Sequence, residues 1–162
     1  MSRKWVLNAS PLITLGKVSG LWLFEKMCSD LVIPEGVVEE IDQGSADDPA
    51  RIWIHREGTH FVRRLEKIPP VVIAWDLGKG ETDVVSWAYF NREYEAILDD
   101  RAARNCASSL GLRFRGTLGV MLLAKKEGVL PQIKPLVNRL VDSGFRINRE
   151  LLRAVYKLAN EV

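Results

Sequence analysis

Cysteine and histidine are nearly missing from this 162-residue chain, which has two of each. Cys28 and Cys106 lie far apart and show no CxxC or Cys/His ligand spacing. A disulfide framework and a thiolate zinc site are thereby excluded, and two free thiols of a cytoplasmic protein are expected. Long apolar runs are lacking too. The stretches present are short and broken by charges, so none can span a bilayer. The opening residues carry Arg3 and Lys4 but no apolar run of signal-peptide length. No internal repeat or low-complexity segment occurs. Gly78-Lys79-Gly80 lacks the GxxxxGK[ST] frame of a phosphate-binding loop, and Ser10 has no histidine in a triad arrangement.

What is present suits one globular domain, residues 1–162, with 47% hydrophobic and 27% charged residues. A chain of this length buries roughly 70% of the surface its unfolded form exposes. The net charge of +2 conceals an asymmetry. Residues 1–100 hold 11 Lys+Arg against 17 Asp+Glu, whereas residues 101–162 hold 12 against 4. Acids crowd the first part and bases the second. That division suits a metal-dependent enzyme acting on a polyphosphate backbone. It also suits terminal helices whose solvated faces are simply basic.

Short β-type runs alternate with helical stretches, which predicts a parallel α/β sheet with helices on both faces. Strands are expected at Lys4–Leu7, Leu31–Ile33, Glu95–Leu98 and Leu112–Phe114. Helices are expected over Leu12–Val18, Leu21–Met27, Pro34 to about Asp42, Gly80 to about Asn91, Arg101–Leu110 and Thr117–Lys126. Ser10 reads as an N-cap with Pro11 at the first helical position. Ile52–Pro70 reads as a short strand or helix followed by connectors. From Gln132 two further helices are separated at Gly144. Residues 130–162 are expected to form a helical extension packed on the domain. Phe145, Ile147, Leu151, Leu152, Val155 and Leu158 recur at helical spacing in that tail. They should pack on the core or across a dimer interface, with Arg146, Arg149 and Arg153 facing solvent.

Asn8, Glu40, Glu81 and the pair Asp99-Asp100 fall where strands hand over to helices. In a parallel sheet those junctions open on one edge, so distant residues converge there. Several carboxylates without matching cations repel one another unless a divalent ion lies among them. At about 100° per residue, Glu40 borders the apolar stripe of Val37, Val38 and Ile41, whereas Glu39 points away. Glu81 heads the stripe of Val84, Val85 and Ala88, and Asp83 points elsewhere. Glu81 is therefore the expected inward acid. Each residue also has a plainer reading: Glu81 complementing a helix dipole, Asp99 or Asp100 as an N-cap, Glu40 on a helix surface, Asn8 in a turn. His55 and His60 are expected in a surface or satisfied role, and the tryptophans in core or interface.

Five segments, in order, resemble the PIN-domain proteins. They are Val6-Leu7-Asn8-Ala9-Ser10-Pro11-Leu12, Ile33-Pro34 with Val37-x-x-Glu40-Ile41, Leu77-Gly78-Lys79-Gly80-Glu81, Leu98-Asp99-Asp100-Arg101-Ala102-Ala103-Arg104, and Gly116-Thr117-Leu118-Gly119. The resemblance is strongest to the toxin-like VapC-type branch and runs from Trp5 to near Glu161. It implies a three-layer α/β/α sandwich with a central parallel sheet and extra C-terminal helices. It further implies an Mg²⁺- or Mn²⁺-dependent endoribonuclease, a cognate antitoxin partner and a homodimer. By position, Asn8 stands where the family usually has its first Asp. Glu40 and Glu81 match the second and third acids, and Asp100, beside Asp99, fits the fourth. Ser10 matches a hydroxyl near the metal, and Thr117 lies in the Gly-Thr-Leu-Gly turn close to the same edge. Arg101, Arg104, Arg113 and Arg115 flank that edge as candidate RNA-phosphate contacts. An amide at residue 8 still offers an oxygen to a hard cation, but it lowers the site's charge. Two rivals follow. One is a PIN-like RNA- or protein-binding module with weak or no catalysis. The other is a receiver-like phosphoacceptor, which would want an Asp pair after the first strand where Asn8-Ala9 stands.

Overall fold

The computed structural model describes residues 3–162. Five parallel strands form its sheet: β1 (Lys4–Leu7), β2 (Asp30–Pro34), β3 (Val62–Arg63), β4 (Tyr94–Ile97) and β5 (Phe114–Arg115). Their order is β3-β2-β1-β4-β5, so β1 is central. It pairs Lys4 with Asp30 on one side and Lys4 with Tyr94 on the other. Trp5, Val6 and Leu7 are wholly buried, as are Ala96 and Ile97 on β4. Strands without an exposed face read as continuous apolar runs because helices cover both sides of a parallel sheet. The arrangement is the expected three-layer α/β/α sandwich.

Ten helices surround the sheet among the described residues. Those that frame its carboxyl edge are α1 (Ala9–Gly16), α3 (Glu35–Asp42), α6 (Lys79–Phe90), α7 (Arg101–Ser109) and α8 (Thr117–Lys126). The others are α2 (Trp22–Met27), α4 (Pro49–Arg56), α5 (Pro70–Ile73), α9 (Lys134–Asp142) and α10 (Arg149–Leu158). None is long and apolar enough to cross a membrane.

Local chemistry explains where several helices begin. Asp48 accepts the amide of Ala50 at 2.8 Å and Pro49 opens α4. Asn148 accepts the amide of Leu151 at 2.8 Å and opens α10. The start of α1 differs from expectation. Asn8 occupies the N-cap position, leaving Ser10 and Pro11 inside the first turn. The last strand differs as well. Gly111 adopts φ 69°, and the Leu112 amide returns to the Ala107 carbonyl at 2.9 Å. Leu112 therefore closes the end of α7 in a glycine-dependent cap, and pairing begins only at Phe114.

The tail divides its apolar residues. Val155 is buried, and Phe145 and Leu152 pack against the core, but Leu151 is 46% and Leu158 72% exposed. Arg146, Arg149 and Arg153 are exposed. Glu161 fastens this segment by accepting the amides of Ile133 at 2.9 Å and Lys134 at 3.0 Å, and the Lys125 ammonium at 2.9 Å.

Candidate metal and nuclease site

The strand ends bring Asn8, Asp99 and Thr117 to one edge, whereas Glu40 and Glu81 do not stand at handovers as expected: Glu40 lies well inside α3, and α6 follows α5 rather than a strand. The Asn8 amide donates to the Ile97 carbonyl at 3.1 Å, and the Leu98 amide to the Arg115 carbonyl at 2.9 Å. Asn8, Asp99 and Thr117 thus emerge from three adjacent strands, while α3 and α6 supply Glu40 and Glu81.

Gly80 shows how closely the first group converges. A Cβ placed there would lie 3.0 Å from Glu40 Oε1 and 3.4 Å from Asn8 Oδ1. Asn8 is buried, and its Oδ1 has no hydrogen-bond partner among the described residues. An orphaned buried acceptor is uncommon and costly, which marks the position as one awaiting a donor or a cation. Burial raises the Glu40 carboxyl above its ordinary 4.5, and the nearby Glu81 charge pushes the same way. Neither Glu40 nor Glu81 is ion-paired among the described residues, whereas Glu39 pairs with Lys79 in solvent.

The second group lies at the ends of β4 and β5. Thr117, wholly buried at the start of α8, donates its amide to Asp99 Oδ1 at 2.8 Å and its hydroxyl to Oδ2 at 2.6 Å. Gly116 keeps room for this carboxylate, since a Cβ there would fall 3.0 Å from Oδ1. Asp100 instead caps α7 by accepting the Ala103 amide at 3.0 Å, and is exposed. Ser10 is exposed in the first turn of α1.

The arginines separate. Arg101 and Arg104 line a recess with Asp99 and Phe114, and the Arg104 guanidinium lies 5.1 Å from the Phe114 ring centre. Arg113 is turned to the Glu93 carbonyl at 2.8 Å, and Arg115 to the buried Glu95 carboxylate at 3.0 Å. His55 pairs with Asp42 at the surface.

One buried acid was not expected. Asp83 is only 9% exposed and accepts the Gly36 amide at 3.0 Å. Measured from Glu81 it points away from the site edge, yet measured from Gly80 it lies three residues on, along the face turned to α3. A pair of small residues, Gly36 and Gly80, on facing helices was the available signal.

A family profile described as a PIN domain matches residues 4–161. The chain belongs to the PIN-domain family. PIN domains include metal-dependent nucleases and typically use divalent metals. No curated protein matches the sequence. Among solved structures, the crystal structure of PAE2754 from Pyrobaculum aerophilum is similar, at 14% identity over 72% of this chain and 92% of that one, with a TM-score of 0.44.

Among the described residues of this PIN domain, no three Asp, Glu, His or Cys side chains stand close enough together to hold a metal on their own. The donor set nonetheless fits a hard cation. These are all oxygen donors: the orphaned Asn8 oxygen beside the Glu40 carboxylate, Glu81 on the adjoining helix and, in the second group, Asp99 held by Thr117.

Proposed function

We propose that this PIN domain is an Mg²⁺- or Mn²⁺-dependent endoribonuclease of the VapC-type branch, acting as the toxin of a toxin–antitoxin pair and as a homodimer. The unpartnered Asn8 oxygen beside the Glu40 carboxylate carries the nuclease reading. Glu40, Glu81, Asp99 and Asp100 would hold the ion with Asn8, and the bound metal supplies an activated water and neutralises phosphate charge. Glu40 would act there as an ionised ligand, since a bound cation displaces the proton that burial favours on the metal-free carboxyl. Thr117 fixes the orientation of Asp99, and Ser10 stands open at the same edge. Arg101 and Arg104 are placed to grip the phosphate backbone. Arg113 and Arg115 would join them only by leaving their present partners. The toxin role and the antitoxin partner are supported by the Asn8-Ala9-Ser10-Pro11-Leu12 start.

A second reading, an RNA- or protein-binding module without catalysis, is favoured by the neutral Asn8 and by an Asp99 whose two oxygens are already engaged. Cleavage of a mixed RNA substrate against metal concentration separates the two. Glu40→Gln, Glu81→Gln and Asp100→Asn should each remove most cleavage while the fold persists, because each deletes a ligand charge and keeps the shape. Asn8→Asp should tighten metal binding and raise the rate at low Mg²⁺. Cleavage untouched by the three removals, or metal binding weakened by Asn8→Asp, would leave the binding-module reading.

A further inference from the structure

We infer that Asp83 is a positioning residue, whose carboxylate holds the first turn of α3 against α6 and thereby sets where Glu40 stands. The inference deepens the metal-site reading above and rests on it for its functional meaning. The first turn of any helix leaves amide donors without partners, and a side-chain acceptor at the N-cap usually serves one of them. The N-cap of α3 is Pro34, which has no acceptor in its side chain. Asp83, from a different helix, serves instead by accepting the Gly36 amide at 3.0 Å. The approach is possible only at glycine, since a Cβ on Gly36 would lie 2.3 Å from Asp83 Oδ2.

Glu40 is four residues beyond Gly36 on the same face of α3, and Gly80 is three residues before Asp83 on α6. The two helices therefore touch at Gly36 with Asp83 and, one turn along, at Glu40 with Gly80. Fixing the first contact fixes the second, and the second faces the Asn8 oxygen. An ionisable group so buried would be expensive without a purpose of this kind. Lys79 lies alongside, with its Cγ 3.2 Å from the same point on Gly36, but its ammonium pairs with Glu39.

Two measurements test this on the full chain: ¹H–¹⁵N spectra without metal, and Mn²⁺ affinity by calorimetry. Asp83→Ala should shift the Gly80 amide and the Asn8 side-chain amide resonances and weaken Mn²⁺ binding by about tenfold, the usual scale for residues that orient ligands. Asp83→Asn keeps an oxygen for the Gly36 amide and should restore both. Asp83→Ser, polar but too short to reach, provides the same test should the alanine variant fail to fold. Unshifted Gly80 and Asn8 resonances in these variants would overturn the inference. So would Mn²⁺ loss in Asp83→Asn as complete as in Glu40→Gln, which would make Asp83 a ligand itself. Should Glu40→Gln leave Mn²⁺ binding unchanged, the metal-site reading fails, and the metal-free spectra still decide the placement of α3.

Discussion

A single carboxyl shows how the edge is tuned. Glu40 titrates above the ordinary 4.5 because burial, and then the Glu81 charge, disfavours its ionised form. Between that ordinary value and its own, the folded protein retains a proton that the unfolded chain has released. Folding stability therefore falls as pH rises through that window. A cation must displace the same proton, so metal affinity should begin to fade on acidification earlier than an ordinary glutamate would allow. In ¹³C titrations of the metal-free protein, Glu40 should show a midpoint above 4.5 that Glu81→Gln moves only part of the way back, burial being the larger cause. A Glu40 midpoint at or below 4.5 would contradict this account.

Among the elements, α7 separates two roles that one residue could fill. Asp100 accepts the Ala103 amide, so Asp100→Ala should cost about 1 kcal/mol of stability through loss of the cap. Asn caps as well as Asp, hence Asp100→Asn should restore the melting temperature while cleavage stays lost. Recovery of both would leave Asp100 a cap alone and make Asp99 the acid of that junction. Much of this layout was legible in the sequence. The sequence marks both limits of Thr117–Lys126, because Gly116 and two terminal lysines punctuate a period that packing then obeys. The strand-to-helix handovers marked Asn8 and the pair Asp99-Asp100, since a parallel sheet aligns its exits, whereas Glu40 lies well inside α3 and Glu81 on a helix that follows α5 rather than a strand. The misses arose where tertiary contact overrides local pattern. Leu112 is apolar for the sake of a helix end, α5 is a four-residue turn opened by Pro70, and Asp83 is explained only by an amide on another helix. No spacing rule within one helix registers a cap supplied from its neighbour.

For the molecule as a whole, Glu161 ties α8, α9 and the terminal segment together. Burial alone would raise its carboxyl, but the Ile133 amide, the Lys125 ammonium and the Lys134 amide outweigh it and hold the group below the usual range. Its stabilisation is thus present above the ordinary carboxylate pKa and lost as pH falls through the lowered value. Glu161→Ala should cost about 2 kcal/mol near neutral pH, a fall in Tm of roughly 4–8 °C, and much less in strong acid. Deleting residues 144–162, which uncovers the packing around Val155, should lower Tm further, and an unchanged melting curve would refute the tie. The placement of β1 between β2 and β4 reaches beyond stability. Lys4 must find Tyr94 across some ninety residues of sequence before the centre of the sheet exists. Such long-range closures are slow, and they leave strand edges bare while they wait. Asn8 and Asp99 become neighbours only through that closure. A growing chain that has not yet released β4 from the ribosome therefore holds Asp99 apart from Asn8, so this edge of the molecule is completed only late in synthesis.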